Sequence, residues 1–171
     1  VDLADTFNTE FLRRKITHEI NEDYPLVNLT SYTLESVVAP LLFSPSLFDV
    51  IVANENVSNT LFSLGAAISG GFGNLCEGYL GDAATGLYKP AKVARFDARN
   101  PRGVNPAGII LAAAKMLEYS FDKSLATSAV ENAVEEVISQ NFVTPDMKNG
   151  RDETQIVIST EEITDEVIKR L

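Results

Sequence analysis

Apolar residues recur at helical spacing from the start of the chain. Ala4, Phe7, Phe11, Leu12, Ile16 and Ile20 predict a helix over residues 5–21. Tyr24-Pro25 ends it, because the residue before a proline is pushed out of the α region. Alternation over 26–30 predicts a short strand. Residues 33–43 read as a second helix that Pro40 kinks or ends early. Phe48-Asp49-Val50-Ile51-Val52-Ala53 is rich in β-branched residues and predicts a buried strand. Asn54-Glu55-Asn56 is polar and suited to a helix N-cap. Val57, Leu61, Leu64 and Ile68 then predict an amphipathic helix over 57–69. Gly70-Gly71-Phe72-Gly73 closes it, since glycine accepts a left-handed cap and a close backbone approach.

The pattern changes after Gly73. Residues 74–82 read as a glycine-rich loop, 85–90 as a strand and 91–104 as an irregular segment. Asn105 caps a helix with Pro106 at its first position. That helix runs over 107–119, is apolar on most sides and is expected to be well buried. Residues 124–140 form the most regular helical stretch, with Leu125, Ala129, Ala133 and Val137 beside Ala126, Val130, Val134 and Ile138. Thr144-Pro145-Asp146 and Lys148-Asn149-Gly150 are turn chemistry. A capping box of Ser159 and Glu162 opens a last helix expected to bury Ile163, Val167 and Leu171.

Charge narrows the classes of partner. The formal net charge is −10, which argues against a nucleic-acid partner. The one locally basic stretch carries Lys92, Arg95, Arg99 and Arg102. No apolar run reaches the roughly 20 residues needed to span a bilayer. Cys76 is the only cysteine, so no internal disulfide forms. A lone cysteine reads as a small core residue, and His18, the only histidine, as a structural one. Val1 is not an initiator methionine, and residues 5–21 already read as mid-domain helix, so the chain is expected to be a processed, split or partial piece.

The strand–turn–helix–Gly-Gly unit over 47–73 resembles the β-decarboxylating dehydrogenases of isocitrate and isopropylmalate. Phe11-Leu12, Tyr24-Pro25, Phe48-Asp49-Val50-Ile51-Val52, Gly70-Gly71-Phe72-Gly73, Leu87-Tyr88-Lys89-Pro90 and Asn105-Pro106-Ala107 fall in that family's order. So do Ile110-Leu111-Ala112-Ala113-Ala114 and Thr160-Glu161-Glu162-Ile163-Thr164-Asp165. The resemblance implies an α/β chain, the C-terminal half of an isopropylmalate-dehydrogenase-like fold. Residues 1–69 would be the small-domain part that forms the dimer contact. Residues 70–171 would return to the large domain. The family's substrate arginines and catalytic lysine would lie outside this sequence.

The resemblance also identifies positions where chemistry departs from the family. Its metal is held by aspartates at the start of the central helix. Here those places hold Asn59 and Ser63, and Glu35 stands where a third aspartate would be. An amide and a hydroxyl are neutral, so two negative charges are lost from a site that must hold Mg²⁺ or Mn²⁺. Glu35, Asn59 and Ser63 also read simply as surface or capping polars. In the family's cofactor loop, Lys92 replaces a histidine and Val93 the glycine that lets the backbone approach the nucleotide. Arg95 also departs, and Asp97 matches. Asn105, which the resemblance places against adenine, is explained equally well as an N-cap. The basic loop could hold an anion or be a solvated or salt-bridged surface.

Taken together, these departures imply a catalytically degenerate subunit acting through protein association. The resemblance is nearest the regulatory subunits of mitochondrial NAD-dependent isocitrate dehydrogenase, which implies the mitochondrial matrix and other protein subunits as partners. A structural subunit of a larger mitochondrial complex is the first alternative. The second is an active NAD-dependent isocitrate dehydrogenase completed by another chain. NAD and Mg²⁺ or Mn²⁺ are expected only in that last case. The resemblance implies citrate or AMP-like effectors for the regulatory reading and no ligand for the structural one.

Overall fold

The computed structural model describes residues 7–82, 85–91, 103–150 and 152–171. It divides into two compact units, Val1–Ile68 and Ser69–Leu171.

In the first unit, helix α1 spans Phe7–Asp23 and stops just before Tyr24-Pro25, where the sequence requires. The start expected at residue 5 lies outside the described residues. Its apolar stripe is only partly used: Ile16 and Ile20 are half-buried, but Phe11 is exposed. Helix α2 spans Leu34–Phe43. Thr33 caps it, accepting from Ser36 N, while the Ser36 hydroxyl accepts from Thr33 N in return. Pro40 sits inside α2 and does not end it. Helix α3 spans Glu55–Ile68, and Asn54 Oδ1 accepts from Val57 N at 3.0 Å across its first turn.

Val37 and Leu41 of α2 meet Val57 and Leu61 of α3 to form this unit's core. Tyr32, Phe48, Ile51 and Ala53 pack against it, and the Tyr32 and Phe48 rings meet edge-on at 5.7 Å. The two strands expected here are not formed among the described residues. Residues 26–27 turn, with Val27 N donating to Tyr24 O, and Leu26 is exposed. Residues 48–53 turn only Phe48, Ile51 and Ala53 inward, while Val50 is 76% exposed. A β-branched run becomes a strand only when another backbone offers a ladder, and none does so here among the described residues.

The second unit opens on a 3₁₀ turn, Phe72–Asn74, followed by an antiparallel hairpin. Strand β1, Cys76–Leu80, pairs with β2, Gly86–Pro90. The glycines of 74–82 suggested a loop, yet Gly78 lies opposite Tyr88 in the ladder and faces its ring. A cross-strand aromatic compensates for a strand glycine's missing side chain. Helix α4, Ala107–Tyr119, lies against this hairpin and against α5, Ser124–Ser139. Strands β3, Phe142–Val143, and β4, Ile156–Val157, form a short parallel pair that the sequence reading missed. Helix α6, Thr160–Ile168, closes the chain behind the expected Ser159–Glu162 capping box.

Burial of α4 differs from expectation. Its inward face is made of small residues, Ala107, Gly108, Ala112 and Ala114, whereas Ile109 is 53% exposed. A Cβ on Gly108 would stand 2.6 Å from the Leu75 carbonyl oxygen, so α4 seats against the chain there because that residue has no side chain. On α5 the apolar stripe begins a turn later than expected. Leu125 is exposed, and buried Thr127 instead donates to Ala114 O of α4 at 2.9 Å. Ala133, Val134 and Val137 then meet Ile163 and Val167 of α6, while Leu171 remains exposed.

Candidate functional site

Glu35, Asn59 and Ser63 all lie in the first unit and all are exposed. Glu35 occupies the first turn of α2. Its carboxylate is held below the usual range by its own backbone N–H and by the Thr33 hydroxyl, as at a helix N-terminus. Asn59 and Ser63 are one turn apart on α3, and the Ser63 hydroxyl donates to the Asn59 carbonyl at 2.9 Å. This is a serine's usual local bond within a helix. Among the described residues, no group of three or more His, Cys, Asp and Glu could hold a metal ion. One solvated carboxylate, an amide and a hydroxyl turned onto its own helix do not fit a divalent-cation site, which needs several hard anionic oxygens.

Asn105 stands in a different setting, at the centre of a polar network in the second unit. Its Nδ2 donates to Asn74 Oδ1 at 2.6 Å, and its Oδ1 accepts from Ala107 N at 2.9 Å. Its backbone N–H donates to Asp146 Oδ2 at 3.2 Å. Asp146 also accepts from the Thr144 hydroxyl, which is fully buried, and its own N–H donates to Gly103 O. Asn74 donates onward to Ser69 O at 2.7 Å. Asn105 therefore fixes the start of α4 against the Gly70–Asn74 turn, but not as the expected N-cap: Pro106 holds the cap position and the helix begins at Ala107, with Asn105 one residue before the cap closing a local turn onto Ala107 N. Gly71 has φ +136°, a conformation that requires glycine, whereas the only close atoms to a Cβ there, Met147 Cε at 2.9 Å and Sδ, end a flexible side chain that can shift.

Lys92, Val93, Arg95 and Asp97, with Arg99 and Arg102, lie outside the described residues. His18 is exposed on α1, with Nδ1 3.3 Å from Glu22 Oε1. Cys76 is half-buried, and burial raises its thiol pKa. Lys115 ties α4 to α5 through Glu131 at 2.7 Å and also contacts Glu118 at 3.0 Å, which raises its pKa. Sequence reasoning missed Asn74 and treated Thr144 and Asp146 as turn chemistry alone. The Thr-Pro-Asp turn was their only signal, and it says nothing of a partner some 40 residues earlier. No helix among the described residues is long and apolar enough to cross a membrane.

Comparison with known proteins covers most of the chain. The family described as isocitrate/isopropylmalate dehydrogenase matches residues 5–167. The chain is 32% identical over its full length to a 3-isopropylmalate dehydrogenase of Heyndrickxia coagulans, of which it covers 46%. It is 33% identical, again over its full length, to that of Aquifex aeolicus, also covering 46%. Among solved structures, isocitrate dehydrogenase from Methylococcus capsulatus superposes with a TM-score of 0.75 at 27% identity, over 95% of this chain and 46% of that one. A β-decarboxylating dehydrogenase from Thermococcus kodakarensis gives a TM-score of 0.77 at 23% identity, over 96% of this chain and 46% of its own; at that identity the likeness is one of fold. The chain thus spans about half the length of the relatives it matches. With its α/β units, its double-glycine turn and a match running almost end to end, this chain belongs to the isocitrate/isopropylmalate dehydrogenase family.

Proposed function

We propose that this chain is a catalytically degenerate member of its family, acting through association with other protein subunits in a regulatory or structural role. The observation that carries the reading is the state of Glu35, Asn59 and Ser63. Two of the three are neutral, and the hydroxyl of Ser63 is spent on its own helix. The carboxylate of Glu35 is held at the start of α2. On this reading the chain by itself holds neither Mg²⁺ or Mn²⁺ nor NAD. Likeness to regulatory subunits of a mitochondrial NAD-dependent isocitrate dehydrogenase, and a place in the mitochondrial matrix, belong to the same proposal.

The test is Mn²⁺ binding followed by electron paramagnetic resonance, together with NAD reduction on isocitrate and on 3-isopropylmalate. No Mn²⁺ binding up to about 1 mM, or about 4 kcal/mol, and no turnover are the expected results. Sub-millimolar binding with turnover would overturn the reading. Regulatory and structural roles then separate on effectors: a citrate or AMP-like ligand should bind in the first case and none in the second.

A second reading is an active dehydrogenase whose remaining parts come from another chain. Relatives at 32% and 33% identity are named as 3-isopropylmalate dehydrogenases, which favours it. It requires the metal to be held largely by residues outside this sequence. Reconstitution of turnover by a second chain would establish it.

A further inference from the structure

Asn149-Gly150 is the only asparagine–glycine pair in the chain; every other asparagine is followed by a residue with a side chain. The pair lies in the loop between β3 and β4, outside any helix or strand. Around it the main chain is tied down. Asn149 N–H donates to Gln155 Oε1 at 2.8 Å, and Asn149 O accepts from Asp152 N at 3.1 Å, closing a turn over 149–152. Asp152 Oδ1 in turn accepts from Thr154 N at 2.9 Å, and Asn141 Nδ2 donates to Thr154 Oγ1 at 2.6 Å. The fold gives no reason for a glycine at 150. Among the described residues, nothing lies within 4 Å of a Cβ placed there, and its φ is not in the left-handed region.

What glycine does supply at this place is chemical. A backbone nitrogen whose residue lacks a side chain is the least hindered nucleophile that a main chain offers to the carboxamide before it. We propose that Asn149 is a self-modification site, converted to aspartate and isoaspartate by attack of the Gly150 nitrogen. The Gly150 N–Cγ bond forms, the Cγ–Nδ2 bond breaks, and the amide leaves as ammonia with the proton lost from Gly150 N. Water then opens the five-membered imide. Opening at Cγ gives aspartate; opening at the main-chain carbonyl carbon gives isoaspartate. Each route adds one negative charge. The isoaspartate route also reroutes the main chain through Cβ and Cγ, adding a methylene, and leaves the carbonyl that takes the Asp152 N–H as a carboxylate off the chain. The turn over 149–152 cannot keep its form with that extra atom. Both reactants belong to adjacent residues of one chain, so the reaction needs no docking surface and no reagent but water.

The test is to incubate the full chain, as purified with whatever accompanies it, at neutral and at mildly alkaline pH. Peptide mass spectrometry should show Asn149 exchanging its amide for a carboxyl, faster at the higher pH, while Asn141-Phe142 in the same loop stays unchanged. Electron-transfer fragmentation separates the aspartate and isoaspartate products. Gly150→Ala adds a Cβ into open space, so it should fold normally by circular dichroism and slow the conversion by about tenfold or more. Hydrogen exchange at Asp152 N–H should quicken in the isoaspartate form. Asn149→Asp carries the charge without the longer main chain and should keep that N–H protected. No conversion at Asn149, equal conversion at Asn141, or an unchanged rate in Gly150→Ala would overturn the proposal. An Asp152 N–H equally protected in the isoaspartate form would overturn the remodelling of the turn. None of these readouts depends on Mn²⁺ binding, turnover or association, so failure here is distinct from failure of the degenerate-enzyme reading.

Discussion

The side-chain amide of Asn105 is spent inside the protein: Nδ2 donates to Asn74 Oδ1 at 2.6 Å while Oδ1 takes the Ala107 N–H at 2.9 Å. The residue that the family resemblance places against adenine thus has a structural task, joining the start of α4 to the double-glycine turn. Asn105→Ala should cost about 1–3 kcal/mol, because it removes two partly buried side-chain hydrogen bonds, to Asn74 and from Ala107 N. Asn74→Ala should cost about 1–3 kcal/mol, because it removes two partly buried hydrogen bonds, one from Asn105 and one to Ser69 O. The double variant should show a coupling of about 0.5–1 kcal/mol in urea denaturation. Strict additivity would mean that the two amides do not depend on each other.

Two glycines in helices should respond oppositely to alanine. Nothing lies within 4 Å of a Cβ placed on Gly65 in α3. Gly65→Ala should therefore stabilise by about 0.5–1 kcal/mol through helix propensity. At Gly108 the new Cβ would meet Leu75 O at 2.6 Å, Gly73 O at 3.1 Å and Pro90 Cβ at 3.3 Å. Two of those atoms are backbone oxygens, which cannot rotate away. Gly108→Ala should destabilise by about 2 kcal/mol net, overpacking outweighing propensity. Urea midpoints moving in opposite directions are the expected outcome; equal shifts would show that α4 does not seat as closely as described.

Glu10 carries a testable dependence on pH. Hydrogen bonds from Arg13 and Arg14 lower its pKa from 4.5 to about 2. A carboxylate with a depressed folded value adds stability above its unfolded value, and loses it as pH falls through the folded one. The local contribution to α1 should therefore be complete above 4.5 and vanish on acidification toward 2. Titration of the Glu10 carboxyl carbon by NMR should give the low midpoint. High salt should move it upward, because the group is solvated. Glu10→Gln should remove this component from the acid-unfolding profile of α1.

The sequence showed the helices well, because their caps and breakers are local. Thr33, Asn54, Asn105 and Ser159 each satisfy a nearby backbone N–H, and Tyr24-Pro25 stops α1 with no help from elsewhere. Strands were harder to read, since a ladder is made by a second backbone. The β-branched run 48–53 finds none among the described residues, whereas 76–80, inside the stretch 74–82 that reads as a loop, finds β2. Burial followed the same division. Ile109 and Phe11 fit an apolar stripe and still face outward, because a period of 3.6 residues says which side chains share a face and not what meets it. At the candidate site, the neutral character of Asn59 and Ser63 was legible as residue identity. The links of Asn105 to Asn74 and Asp146 were not, since they join residues 31 and 41 apart in the chain.

Adding charge on α3 tests the proposed absence of metal ligands there. Asn59 and Ser63 are exposed and one helical turn apart, so paired carboxylates there would share a face. Asn59→Asp with Ser63→Asp gives up only the local Ser63–Asn59 bond and adds two hard anionic ligands. Because both side chains are solvated, the cost in stability should be within about 0.5 kcal/mol. Mn²⁺ affinity should rise from undetectable to a Kd below about 1 mM, a gain of roughly 4 kcal/mol or more. Each single variant should fall well short of this, because one added carboxylate leaves the cation largely to water. Equal binding by the unaltered chain and the double variant would mean that an amide and a hydroxyl suffice, and the degenerate-site reading would fall. No gain in the double variant would place the remaining ligands outside this sequence, and would turn attention to the reading in which another chain completes the enzyme.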